Sequence, residues 1–278
     1  MAEAEVRVRA RNQVVVSGVA LEEEHRGSGP PLVFLHGEDG LLFSADLLGA
    51  LGEQFEVRAP ELPGWGGSDR PAHLHTVEDL SYVVLDYLEA TVRTPVTLVG
   101  ASFGAWVAAS AAVKNTALIS ALVLVAPVGI KVGDRETRDF VDLYAIPRHE
   151  ALAATYGAGP RPDLAALGPE DFVYLAQAQE AMVRYGFLPY RHDPALIHRL
   201  HRIGVPTLVL WGNDDQFVRD PGGYAYAYAE AIGPNASCRE LAGGHRLEEQ
   251  DPTGVAGAVA ALLGPSPVDA PVAAGAGR

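Results

Sequence analysis

The chain carries one cysteine, Cys238, and two methionines in 278 residues. A single thiol excludes an intrachain disulfide and any metal cluster built on several cysteines. Positive charge is also scarce. Lys and Arg number 21 against 35 Asp and Glu, a formal net charge of −14 at pH 7. That balance argues against phosphate backbones and anionic membrane surfaces as partners. Long hydrophobic runs are missing too: the stretch from Ala117 to Ile130 is too short to cross a bilayer and contains Pro127. The opening residues Met1-Ala2-Glu3-Ala4-Glu5 lack the basic and apolar regions of a secretory signal. The expectation is a cytoplasmic protein with a small-molecule substrate and neither a nucleic-acid nor a membrane partner. Its oligomeric state is not legible. What remains is 48% hydrophobic and 20% charged, the composition of a globular chain long enough for a substantial core.

Short apolar runs alternate with helical patterns. Val6, Val8 and Ala10, then Val14, Val16 and Gly18, alternate with polar residues and read as an antiparallel pair with one wet face. Leu32 to Leu35, Phe55 to Ala59, Val96 to Val99, Ser120 to Ala126, Val205 to Trp211 and Ala236 to Leu241 read as strands. Helices are expected over about 43–51, 77–92, 103–113 and 224–232. Thr76 with Asp79 caps the second of these, and Asp251-Pro252 starts a final helix. Strands alternating with helices imply an α/β fold, a parallel sheet with helices on both faces. Between Gly129 and His201 the rhythm breaks into helical fragments punctuated by proline. The expected organisation is a core over 1–128 and 202–264, a helical cap over 129–201, and a disordered tail over 265–278.

The stretch that organises the rest is Gly100-Ala101-Ser102-Phe103-Gly104. It is a G-x-S-x-G pattern lying where a buried strand turns into an alanine-rich helix. Such a turn strains the serine backbone and presents Oγ above the sheet. The flanking glycines let strand and helix close up. The helix start aims N–H groups and partial positive charge at any oxyanion forming there.

A serine hydroxyl needs a base, and the base needs an orienting acid. His245 lies in a loop past the last strand, on the same sheet edge as Ser102. The acid should follow the Val205 strand, where Asp214 and Asp215 stand side by side; local reasoning does not choose between them. Two N–H donors should hold the oxyanion. Phe103 supplies one, and the backbone of Glu38, after the Leu32 strand, supplies the other. The Glu38 side chain is then expected to point away from the developing charge.

These motifs together resemble the α/β-hydrolase superfamily. Gly100 to Gly104 looks like its nucleophile elbow and His36-Gly37-Glu38 like its oxyanion loop. Leu62 to Ser68 looks like its turn after the fourth strand. Trp211 to Asp215 resembles its acid motif and Gly244-His245 its terminal Gly-His. The resemblance covers about 31–264 and puts the acid on Asp215. It implies a mostly parallel eight-stranded sheet with a helical cap after the sixth strand. The branch most similar is that of meta-cleavage-product hydrolases and carboxylesterases.

It also implies a serine hydrolase that acts, without metal or cofactor, on an ester or a C–C bond of a small, mainly apolar or aromatic carbonyl compound. The alternative is a non-hydrolytic acid–base enzyme on the same fold: a lyase, cofactor-free oxygenase or acyltransferase. A ligand-capturing binding module is a third reading. Phe140, Tyr144, Tyr185 and Arg191 of the cap, with His36 beneath it, are the expected substrate contacts. The tight turn also gives His36 a structural reading, and Arg184 is a second cation for a substrate carboxylate.

Overall fold

The computed structural model describes residues 12–264. The expectations for Val6 to Ala10 and for the 265–278 tail lie outside the described residues. Eight strands form one sheet: β1 (Asn12–Val16), β2 (Val19–Arg26), β3 (Pro31–Leu35), β4 (Glu56–Pro60), β5 (Val96–Ala101), β6 (Ile119–Val125), β7 (Thr207–Gly212) and β8 (Ala236–Leu241). Their spatial order is β1-β2-β4-β3-β5-β6-β7-β8. The β1–β2 and β2–β4 pairs are antiparallel and the rest parallel. The expected α/β fold with a mostly parallel eight-stranded sheet is therefore present.

The antiparallel pair differs from its reading. Gly18 is not a strand residue. Ser17 (φ 49°) and Gly18 (φ 81°) form the turn of a β1–β2 hairpin, a conformation that suits a two-residue hairpin loop. β2 was hidden because it runs through Glu22-Glu23-Glu24, which looks like solvated chain. Glu23 is nonetheless buried, held by the Tyr87 hydroxyl and by His25 at 2.6 Å.

Helices α1 (Ala45–Gly52), α2 (Val77–Thr91) and α3 (Phe103–Ala112) follow β3, β4 and β5. The helix start at α2 is a full capping box: Thr76 Oγ1 accepts from the Asp79 N–H at 3.1 Å, and Asp79 accepts from the Thr76 N–H at 2.9 Å. Two apolar clusters fill the two faces of the sheet. One joins α2 and α3 to Val33, Leu35, Leu98 and Leu122; the other joins α1 to Leu32, Phe34, Val99 and Val123. Odd and even residues of one strand thus go to opposite faces.

Between β6 and β7 the chain leaves the sheet and forms α4 (Arg148–Tyr156) and α5 (Pro169–Gly186). This insertion is tied back to the carboxyl ends of the strands. Tyr174 donates to Glu61 Oε1 at 2.5 Å and accepts from the Leu41 N–H at 2.8 Å. The sheet then resumes with β7, α6 (Pro221–Ile232) and β8, followed by α7 (Leu247–Gln250) and α8 (Pro252–Leu263). Asp251 caps α8, accepting from the Gly254 N–H at 2.9 Å.

Candidate active site

Ser102 sits between β5 and α3 with φ 45° and ψ −107°. A non-glycine residue keeps such a backbone only when its surroundings impose it. Here the Ser102 N–H is fixed to the Val125 carbonyl of β6 at 2.8 Å. The flanking glycines are required by space. A Cβ on Gly100 would lie 2.5 Å from the Gly104 carbonyl oxygen, and one on Gly104 would run into the carbonyl oxygen of Leu35. Gly104→Ala therefore forces β3 and α3 apart, and is expected to cost at least about 1–3 kcal/mol in urea denaturation.

The three expected side chains meet. Ser102 Oγ lies 2.7 Å from His245 Nε2, and His245 Nδ1 lies 2.7 Å from Asp215 Oδ2. Asp215 is itself fixed: its Oδ1 accepts from the N–H groups of Phe217 at 2.9 Å and Val218 at 3.1 Å. Asp214 points elsewhere and accepts from the Ala158 N–H. The His245 loop is held by α4, its N–H donating to the Thr155 carbonyl at 2.7 Å. The edge of Phe217 covers the imidazole at 4.6 Å between ring centroids. Ser102, Asp215 and His245 are all buried.

Among the described residues, neither the Phe103 nor the Glu38 N–H donates to a backbone carbonyl. The Glu38 side chain is the main correction. It does not point away. Its Oε1 accepts from Ser102 Oγ at 2.8 Å and contacts Arg191, and its Oε2 lies 3.1 Å from Arg246 Nη1. Burial alone would raise the Glu38 pKa, but the guanidinium groups of Arg246 and Arg191 outweigh it and hold this carboxyl well below its ordinary range. Sequence reasoning missed Arg246. An arginine in a loop reads as solvated, and nothing local marks it as buried beside Asp39 and Glu38.

The other expected contacts divide. A cavity of about 550 Å³ lies between the sheet edge and the insertion; Tyr144, Arg191, Met182, Phe172 and Glu38 are among its walls. Phe140 is not among them. It is packed between Phe217 and Tyr224 in the core. Tyr185 stacks on Trp65 and faces a separate cavity of about 260 Å³. Arg184 reaches the Pro71 carbonyl, away from both. Spacing gives the helix but not which ring its neighbours enclose.

His36 is wholly buried and structural. Its Nε2 accepts from the Leu62 N–H at 2.9 Å, which leaves the proton on Nδ1, facing the Gly37 carbonyl at 2.8 Å. Burial pushes its pKa from 6.5 down to about 4. The unfolded chain therefore binds the extra proton between those values and the folded one does not. Stability is expected to rise from pH 4 to pH 6.5, by up to about 3 kcal/mol from this group. Denaturation at pH 4.5 and pH 7 checks it, and His36→Gln should flatten that part of the profile.

Among the described residues, no group of three or more His, Cys, Asp and Glu is placed to hold a metal ion, and no helix is long and apolar enough to cross a membrane. A buried serine on an elbow thus faces a histidine–aspartate pair at one sheet edge. A family model for the alpha/beta hydrolase family matches residues 32–258. The chain belongs to that family. A candidate non-heme haloperoxidase of Mycobacterium phage D29 is 30% identical over 268 residues, covering 90% of this chain and 93% of its own. The 2-hydroxymuconate semialdehyde hydrolase of Pseudomonas sp. (strain CF600) is 26% identical, covering 74% and 77%. The dihydrolipoyllysine-residue acetyltransferase component of the acetoin cleaving system of Cupriavidus necator is 28% identical over 85% of this chain, which spans only 64% of that longer protein. A solved serine hydrolase involved in carbazole degradation shares the fold with a TM-score of 0.73 at 21% identity, covering 91% of this chain and 98% of its own. This family membership makes the protein an enzyme of the α/β-hydrolase type.

Proposed function

We propose that the protein is a serine hydrolase that cleaves an ester or a C–C bond of a small, mainly apolar or aromatic carbonyl compound through an acyl-enzyme. The observation that carries this reading is the unbroken chain of contacts Ser102–His245–Asp215, with both links at 2.7 Å. In the first step Ser102 Oγ attacks the carbonyl carbon while His245 Nε2 takes its proton. Asp215 keeps the other imidazole proton on Nδ1 and stabilises the imidazolium that forms. The N–H groups of Phe103 and Glu38 receive the negative oxygen. His245 then returns its proton to the leaving group. In the second step a water, deprotonated by His245, releases the acid and restores Ser102.

The insertion serves in this reading as a cap. Its Tyr144, Phe172 and Met182 give the cavity an apolar wall, and its Arg191, paired with Glu38, adds a polar one. A volume of about 550 Å³ suits a small organic molecule. The test is intact-protein mass spectrometry after incubation with a library of acyl esters. An acyl adduct mapped to Ser102 supports the reading and reports the preferred acyl group; turnover with no adduct at Ser102 removes it.

One observation favours a second reading. Ser102 Oγ is also within 2.8 Å of a carboxylate, so its proton has a competitor for His245. In a non-hydrolytic acid–base enzyme, a lyase, cofactor-free oxygenase or acyltransferase, His245 would move the proton and Ser102 would only hydrogen-bond the substrate. Failure of both a small and a bulky fluorophosphonate to modify Ser102 in folded protein would favour that reading.

A further inference from the structure

The two-step reaction uses the Glu38 backbone and leaves its side chain idle, although that carboxylate touches the nucleophile. Ser102 Oγ has His245 Nε2 at 2.7 Å and Glu38 Oε1 at 2.8 Å. A hydroxyl has one proton, and an ionised carboxylate only accepts. Both contacts are hydrogen bonds only if Ser102 donates to Glu38 and His245 Nε2–H donates to Oγ. The hydroxyl proton then faces away from the base, and the base already carries a proton.

Two further observations bear on access. Glu38 forms part of the wall of the 550 Å³ cavity, whereas Ser102 is fully buried and does not. The carboxylate thus touches both the cavity and the hydroxyl. That carboxylate also has somewhere to go. Its Oε2 faces Arg246 Nη1 at 3.1 Å yet makes no well-aligned hydrogen bond, so a turn toward Arg246 improves that contact while it gives up the Oε1 contacts to Ser102 and Arg191.

We propose that Glu38 is a latch that decides which acyl donors reach Ser102. It bars the nucleophile while the cavity is empty and is displaced toward Arg246 by a donor large enough to fill the cavity. On release the Ser102–Glu38 hydrogen bond breaks, the Nε2 proton of His245 passes to water, and the hydroxyl turns to donate to Nε2. The space beside Oγ is then free for a carbonyl oxygen. The class selected is a neutral carbonyl compound that occupies the cavity; small acyl donors leave the latch closed. This rests on Ser102 being the nucleophile.

The test compares two neutral fluorophosphonates, one with a single ethyl chain and one with a bulky aryl chain, on the full chain and on Glu38→Gln and Glu38→Ala. Opening the latch should raise the labelling rate of Ser102 by the small probe about tenfold or more, with a much smaller gain for the bulky probe. A merely structural role for Glu38 would slow both. Glu38→Gln keeps the side-chain volume and carries the test if Glu38→Ala does not fold. Unchanged or slower labelling by the small probe in a Gln variant that melts like the parent overturns the latch, and an equal gain for both probes overturns its size selection. No labelling of Ser102 by either probe in any of the three proteins removes the nucleophile reading and the latch with it.

Discussion

Ser102→Ala is expected to lower kcat by on the order of 10⁴–10⁶ while the protein still folds, and His245→Ala by a similar factor. The Ser102 side chain accepts no cap hydrogen bond from the N–H groups of α3, so its removal costs a buried hydroxyl and leaves the elbow glycines in place. On the proposed mechanism, what is lost is the atom that forms the covalent bond. The backbone N–H groups of Phe103 and Glu38, the proposed oxyanion donors, survive the substitution and should leave a small residual rate. Removing both residues together should cost little more than removing either, because they act as one unit. Steady-state kinetics on the best ester from the adduct screen measures this, with the melting temperature as the control for folding.

Asp215→Asn should cost about 10⁴ in kcat with little change in structure. The Asn oxygen can still accept from the Phe217 and Val218 N–H groups, so its amide nitrogen faces His245 Nδ1 at the 2.7 Å link. An amide N–H donates, so Nδ1 becomes the acceptor and the imidazole proton moves to Nε2. Nε2–H then points at Ser102 and cannot take its proton. Loss of kcat with an unchanged melting temperature separates this tautomer effect from a packing defect. A loss below about tenfold would mean that orientation of His245 does not depend on Asp215.

The elbow was legible because its constraint is local. Gly100, Ser102 and Gly104 are spaced so that strand and helix can touch, and the atoms a Cβ would meet at the two glycines belong to that same contact and to neighbouring β3. The strands β3, β5, β6 and β7 were legible as apolar runs buried on both faces. β2 was not, because its glutamates are satisfied by partners far along the chain, such as Tyr87 and Arg58. The Glu38 side chain was misread for the same reason. Electrostatics against a developing oxyanion argues for turning it away. At about 4 Å such a like-charge pair costs roughly 4 kcal/mol in a partly polar interior. That argument omits two arginines, at 191 and 246, that only the fold brings to it. Phe140 and Tyr185 show the remaining limit. Both are aromatic residues in or beside the insertion, as Tyr144 is, and only packing distinguishes the one that reaches the cavity from those that stack in the core.

The most direct test of the central claim is the pre-steady-state release of nitrophenol from a p-nitrophenyl ester of the preferred acid. An acyl-enzyme on Ser102 predicts a burst approaching one equivalent per chain, absent in Ser102→Ala. Sustained turnover that Ser102→Ala retains, with no burst in the parent, would contradict it.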